Sequence, residues 1–470
     1  MLAQKMGGIR ITRAMSRTKC ITVGSMSERV TNKQALATAE PLSVSQRLGR
    51  LQFHRSGKFR ILQLADIQDG PKVSTDTIKL IEVALASVRP DLVVLSGNQI
   101  AGYDPAYAAT FCKRHWKTPA PTARREAELE QTRDKVRASI RQFVTPMIDA
   151  GVPWAVTYGN HDFQCGLSNA QLDAIYHEFK GCLNPVITAH MKQTMHVDDP
   201  SAPLDAADVC VRTTAPTLAD EVAYACEPGT FALPVANEHG ETILGVVLVD
   251  SGDYAPTGGY GTPDARALAF LRALPAALGP QAKSIVFQHT ALPQYYQLLK
   301  PVASTAARAV EGYRMFSGQY YTLDDAKTAP GGYLGEGISC PDDDSGEFAI
   351  LRDTHAYFAI STGHDHRNAF DGIADGMRMI ASPTCGFGSY GPVPQRRAAR
   401  LFEFDIRHPY EPRTQLLAFG DLVGKPSSKK AYVYGMTAES KPKSEGVNLL
   451  HKPTTVSRVF HSIAKNLFGR

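Results

Sequence analysis

What this chain of 470 residues lacks narrows its reading first. No stretch approaches 18 consecutive apolar residues, so no membrane-spanning helix is expected. The first thirty residues carry Arg10, Arg13, Arg17 and Lys19, but no apolar run follows them, so this segment does not read as a secretory signal. None of the eight cysteines (Cys20, Cys112, Cys165, Cys182, Cys210, Cys226, Cys340 and Cys385) stands in a CxxC pair. Scattered over so long a chain, they argue against a zinc knuckle and a dense disulfide framework, and predict reduced thiols in a cytoplasmic protein. No internal repeat is visible.

The chain does have core-forming residues, 43% hydrophobic against 21% charged, an ordinary globular balance. The formal charge of +5 conceals a partition. Residues 1–33 carry about +6 and residues 425–470 about +7, which leaves the middle near −8. The positive balance therefore belongs to the tails, and an acidic middle without a basic–aromatic stripe argues against a nucleic-acid substrate. Three regions are expected: a basic flexible leader over 1–56, one catalytic domain over 57–424, and a basic linker with a short amphipathic helix over 425–470.

Apolar runs alternate with polar clusters through the middle. Lys58 to Ala65 reads as a strand ending at Asp66. Ile78, Ile81, Leu85 and Val88 recur at helical spacing over Thr75–Val88, and Pro90 stops that helix. Leu92–Leu95 is a buried strand running into Ser96-Gly97-Asn98, and the two strands with their helix form a right-handed βαβ unit. A charged helix is expected from about Ala123 to Asp149. Pro153–Thr157, Ile243–Val249, Ser284–Phe287 and Tyr357–Ser361 read as further strands, and Met377–Ile406 as antiparallel strands closing the sheet. The stretch from 163 to about 235 reads as loop-rich. In α/β folds ligands bind beyond the carboxyl ends of strands, where these polar clusters lie, so separate clusters can converge on one site.

Taken singly the clusters are weak: Asn160-His161-Asp162 reads equally as a turn and His289 as an isolated side chain. Gly363-His364-Asp365-His366 says more, because two histidines spaced i, i+2 after a strand can reach one metal centre. The order is more telling. Asp66-Ile67-Gln68, Gly97-Asn98, Gly159-Asn160-His161-Asp162, Gln288-His289 and Gly363-His364-Asp365-His366 resemble the successive blocks D-x-H, G-D, G-N-H-D/E, H and G-H-x-H of the calcineurin-like metallophosphoesterase superfamily. Val249-Asp250-Ser251-Gly252-Asp253-Tyr254, Gly335 to Pro341, Ser345-Gly346 and Gly386 to Gly391 resemble its purple-acid-phosphatase-like branch that lacks the tyrosine ligand. The resemblance spans about residues 58–406.

It implies a four-layer α/β/β/α sandwich with two mixed sheets, and a metal-dependent hydrolase of phosphate esters, either phosphatase or phosphodiesterase. By the same resemblance, two divalent ions (Mn, Fe or Zn) would sit among Asp66, Gln68, Asn98 and His366 on one side and Asn98, Asn160, His289 and His364 on the other. They would supply a metal-bound hydroxide for in-line attack. His161 would serve as general acid or phosphate-binding donor, with Asp162 orienting it. No cysteine or serine motif suggests a covalent phospho-enzyme.

Two departures weaken that expectation. Gln68 stands for the family's histidine and Asn98 for its bridging aspartate, so a neutral amide replaces a carboxylate that would hold two dications together. Ala101 stands where purple acid phosphatases carry a tyrosine ligand. Asp69 and Asp104 are nearby acids that could enter the site and compensate, but they read better as turn caps beside Gly70 and Pro105. The alternative is therefore a weakened site that binds a phosphorylated ligand or partner. At the end of the chain Val456, Val459, Phe460, Ile463, Leu467 and Phe468 form one helical stripe flanked by Arg458, Lys465 and Arg470. Such a helix either docks on the domain or contacts an anionic membrane surface or acidic partner.

Overall fold

A computed structural model describes residues 43–120, 122–188, 191–192 and 204–427. Two sheets form its centre. The first has five strands in the order Arg413–Ala418, Ala398–Asp405, Lys58–Leu64, Leu92–Ser96, Trp154–Thr157. Its last three strands are mutually parallel, while Ala398–Asp405 pairs antiparallel with Lys58–Leu64. The second has eight, in the order Phe370–Ala374, Met377–Ala381, Tyr357–Thr362, Lys283–Gln288, Thr242–Val249, Thr230–Ala236, Val222–Glu227, Val211–Thr214. From Met377–Ala381 to Thr242–Val249 its pairings are parallel, and both flanks are antiparallel. A small sheet of Leu299–Val302, Val310–Glu311 and Tyr320–Leu323 stands apart.

Strands buried on both faces read as unbroken apolar runs, which is why these segments stand out in the sequence. Ile61, Leu92 and Val94 pack inward against Phe231, Leu233, Val246, Ile285 and Phe287 of the other sheet. Their neighbours Leu62, Leu64, Val93 and Leu95 face outward onto helices Thr75–Val88 and Ala123–Ala150 through Leu80, Ile81, Val136, Ile140 and Phe143. On the far side, Val247, Val286 and Ile360 meet Phe270, Leu271 and Leu274 of helix Ala265–Leu278. Helix, sheet, sheet, helix is the expected four-layer sandwich.

The helix ends follow their caps. Ser74 accepts from the Asp76 amide at the start of Thr75–Val88, and Thr122 from the Arg125 amide at the start of Ala123–Ala150. Gly151, in the left-handed region, ends the second.

Three expectations change. Residues 43–56 are not leader: Ser43 Oγ donates to Asp91 O at 3.0 Å, Phe53 N to Ala236 O at 2.9 Å, and Leu51 and Phe53 are buried between the sheets. Two apolar residues two apart are too short a pattern to declare a strand, so the segment is legible only once its partner at Ala236 is in place. The described part of the 163–235 stretch, expected to be loop-rich, also supplies helix Asn169–Tyr176 and three strands of the second sheet. Met377–Ala381 pairs parallel with Tyr357–Thr362 and antiparallel only with Phe370–Ala374, while Ala398–Asp405 joins the other sheet. The amphipathic stripe from Val456 to Phe468 lies outside the described residues.

Candidate metal centre

The polar clusters do converge. Asp66, Gln68, Asn98, Asn160, His289, His364 and His366 are all at most 6% exposed and lie beyond the carboxyl ends of strands from both sheets. Their backbone is tightly constrained. Asp66, Gln68, Asn98 and His364 hold positive φ, between 42° and 69°, conformations that non-glycine residues adopt rarely and that concentrate at functional sites. A Cβ at Gly97 would lie 2.5 Å from His289 Nδ1, and one at Gly159 would lie 2.4 Å from Asn98 Oδ1. Both blocks need glycine because the site's side chains pass directly over the backbone.

Asp66 is the hub and the only carboxylate among those seven side chains. Its Oδ2 accepts from the His364 amide at 2.9 Å, while Oδ1 lies 3.3 Å from His366 Nε2 and 3.8 Å from His289 Nε2. Burial alone would raise its pKa, but the imidazoles of His366, His289 and His364 hold it well below the usual carboxylate range.

The histidines are oriented from behind. His289 Nδ1 is 3.2 Å from Ser96 O and His366 Nδ1 is 2.6 Å from Tyr390 O. A carbonyl oxygen can only accept, so each Nδ1 carries its proton, and in a neutral ring each Nε2 turns a lone pair inward. That outer-shell arrangement is the one metal-ligating histidines use. His366 Nε2 then faces Asp66 Oδ1 at 3.3 Å, a contact that needs a proton or a cation between the two. Gln68 Oε1, buried, has no hydrogen-bond partner, its amide nitrogen donating to Tyr103 Oη at 3.0 Å. Asp66, His366 and Gln68 Oε1 could thus hold one hard or borderline cation.

The second expected set is different. Asn98 Oδ1 accepts from the His161 amide at 2.8 Å, so its NH2 must point inward, donating to Asp66 Oδ1 at 3.3 Å and Asn160 Oδ1 at 3.2 Å. Asn160 in turn donates to Tyr254 Oη at 2.8 Å. His289 Nε2 lies 3.2 Å from Asn160 Oδ1 and 3.1 Å from His364 Nδ1. Burial pushes both of these histidines below the usual imidazole range, His364 far below. Two neutral imidazoles, an amide oxygen and an inward NH2 group fit a second dication poorly. Among the described residues, no group of three or more His, Cys, Asp or Glu is gathered as a metal site by those residue types alone.

The expected pairing of His161 with Asp162 is not found. Asp162, fully buried, accepts from the backbone amides of Asn98 at 2.7 Å, Gly159 at 2.8 Å and Ile100 at 3.0 Å. It clamps two strand ends together, and none of its hydrogen bonds goes to the imidazole. Burial raises its pKa to about 7 against those amides. His161 Nδ1 is held instead by Gln164 Oε1 at 2.7 Å, and its Nε2 is 3.4 Å from Asn160 Nδ2. Burial lowers His161 to about 4, so at neutral pH the free ring is uncharged. It becomes a proton donor only where a bound anion holds the charged form.

Asp69 stays outside the cluster, capping Thr75–Val88 by accepting from the Ser74 amide and Thr77 Oγ1, and Asp104 caps the turn at Ala106. An aromatic frame went unforeseen. Tyr103 meets His161 edge-on at 4.8 Å, Tyr260 meets His364 edge-on at 4.3 Å, and Tyr390 stacks on His366 at 4.1 Å. The Arg114 guanidinium lies 3.6 Å over the Tyr254 ring. Tyr254 and Tyr390 fall inside sequence blocks already singled out, whereas Tyr103 and Arg114 carry no local signal.

No family model matches the chain. Over 382 residues it is 22% identical to the probable inactive purple acid phosphatase 14 of Arabidopsis thaliana, covering 76% of this chain and 78% of that protein. It is 21% identical over 402 residues to the probable inactive purple acid phosphatase 29 of the same organism, covering 78% and 82%. Among solved structures, a dimetal phosphatase from Danio rerio aligns over 77% of this chain and 99% of its own, at 11% identity and a TM-score of 0.37.

Proposed function

We propose that this chain, a relative of the purple acid phosphatases within the calcineurin-like metallophosphoesterases, is a phosphate-ester hydrolase of reduced power. It would keep one divalent ion (Mn, Fe or Zn) firmly and a second only weakly. The observation that carries the proposal is the inward pair of His366 Nε2 and Asp66 Oδ1 at 3.3 Å, with the other ring nitrogen anchored on Tyr390 O. Two acceptors turned on each other call for a cation or a proton between them.

Asp66, Gln68 and His366 would hold the firm ion, and His289, His364 and Asn160 the weak one. When bound, such an ion polarises a phosphoryl oxygen and acidifies water. This chain's own groups would do the rest. His161, steadied by Gln164, would hold a proton at Nε2 beside the leaving oxygen. Arg114 would add positive charge at the rim for a phosphorylated substrate. Purified protein assayed with aryl phosphate mono- and diesters under added manganese, iron and zinc tests this. Turnover that follows metal content and falls with chelation supports it, and a metal-loaded protein inert on every ester overturns it.

A second reading, binding a phosphorylated ligand without turnover, is favoured by one observation: the Asn98 NH2 group bonded to Asp66 and Asn160, where the superfamily has a bridging carboxylate. Tight, metal-dependent binding of a phosphate ester with no product would select it. Among the described residues no helix is long and apolar enough to cross a membrane. The described cysteines are all free thiols, which supports a reducing, cytoplasmic setting.

A further inference from the structure

A short basic run, Lys113-Arg114-His115-Trp116-Lys117, interrupts a stretch of chain whose net charge is about −8. It folds beside the metal centre and is tied to it from two directions. The Cys112 amide donates to Gln164 O at 3.0 Å, and Gln164 Nε2 donates to Lys113 O at 3.3 Å. Gln164 is also the residue whose Oε1 holds His161 Nδ1. From the other direction, His115 Nδ1 lies 2.6 Å from Asp253 Oδ2. The Arg114 guanidinium covers the Tyr254 ring at 3.6 Å and hydrogen-bonds its hydroxyl. That same hydroxyl accepts from Asn160 Nδ2 at 2.8 Å.

Arg114 therefore stands one phenol away from Asn160, outside the ring of metal-centre side chains. His115 is matched by Asp253, whereas Lys113, Arg114 and Lys117 form no ion pair among the described residues. Lys113 and Lys117 are exposed; Arg114 is half-buried, with Nη1 donating to Lys113 O at 3.1 Å. A guanidinium held in place offers a rigid fork of donors that fits a phosphate better than a mobile ammonium does. A phosphoryl group at the metal centre has its counter-charge in the metal ion. Further positive charge one residue out answers further negative charge on the same ligand.

We propose that Arg114, assisted by Lys113 and Lys117, reads a second phosphate group on the substrate, which makes bisphosphorylated compounds the preferred esters. The inference rests on the reading of the centre as a phosphate-ester site and narrows the substrate class. Arg114 is in this sense a specificity-determining residue, and the reacting phosphate stays with Asp66, His366 and His161.

The test uses manganese-loaded full chain and two series of ligands with uncleavable P–C bonds, alkylphosphonates and α,ω-alkane bisphosphonates of three to eight carbons. These bind whether or not the protein cleaves esters, and calorimetry gives Kd for each. At low salt the best bisphosphonate is expected to bind wild type ~tenfold or more tightly than its monophosphonate, a preference that shrinks as salt is added. Arg114→Gln is expected to lose the preference while weakening the monophosphonate by no more than ~threefold, and Arg114→Lys to keep part of it. The proposal is overturned if wild type binds the two series alike, or if the preference survives Arg114→Gln. It is equally overturned if Arg114→Gln weakens both series by one factor, because the guanidinium then faces the metal-bound phosphoryl itself. Should Arg114→Gln fail to fold, Lys113→Gln combined with Lys117→Gln decides, an undiminished preference counting against the loop. Aryl phosphate assays on the same samples separate this inference from the proposed hydrolysis. A preference without turnover leaves the second-phosphate site standing while hydrolysis falls, and turnover without a preference removes that site alone.

Discussion

Asn98 donates its side-chain NH2 to Asp66 Oδ1 at 3.3 Å, so the two residues bond directly to each other. A carboxylate at position 98 could not make that bond, and would instead set a second negative charge beside the first. One amide thus removes both the bridge and half of the charge that would hold two dications.

Asn98→Asp restores the charge. The variant is expected to bind a second divalent ion tenfold or more tightly than wild type, about 1.4 kcal/mol or more at one equivalent site. Titration calorimetry with manganese checks this. Unchanged stoichiometry and affinity would mean that residue 98 does not set the second site.

His161 and Asp162 are adjacent in sequence but are expected to fail differently. Removing a proton-transfer group typically costs 10²–10⁴-fold in turnover, so His161→Ala should lose activity while keeping its metal and its Tm. Asp162→Ala strips acceptors from three buried amides and is expected to cost ~3 kcal/mol or more of stability. Metal analysis, activity and unfolding on the two variants separate these effects.

Away from the metal centre, burial raises Glu221 and Glu227 to about 8, Asp250 to about 7 and Asp173 to about 6. A raised acid binds more protons folded than unfolded. Its contribution is complete below the unfolded carboxyl pKa and is lost as pH rises through the folded value. The described domain is therefore expected to lose stability between roughly pH 5 and 8.5, with Tm falling by several degrees. The histidines with lowered values, His161 and His289, work the other way below about pH 6.5, where the unfolded chain takes up protons first. A flat or rising Tm over pH 6.5–8.5 would contradict the buried-acid account.

The basic tail offers a test of its own. Full chain and a chain ending at Lys425 are compared for pelleting with anionic liposomes. Membrane attachment by the Val456–Phe468 stripe predicts pelleting of the full chain alone, whereas docking on the domain predicts no pelleting and a lower Tm on truncation.

In the sequence, the order of the polar clusters carried the resemblance that implies the sandwich, and their placement after apolar strands showed that they can meet. Strands buried on two faces must be apolar throughout, so the polar residues that end them stand out, and the α/β rule gathers those ends at one edge. Asp66, Asn98, Asn160, His289, His364 and His366 were all legible in that way. Short or half-buried elements were not: Leu51 and Phe53 depend on a partner strand almost two hundred residues away, at Ala236. Tertiary structure alone decided which way each group faces. The Asn98 amide is fixed by the His161 backbone, the His366 ring by Tyr390 O, and Asp162 by three amides instead of its neighbour's imidazole. Hydrogen bonds are directional and their partners here come from distant segments, so no local pattern encodes the orientation, and orientation is what decides whether an oxygen or an NH2 group meets a metal.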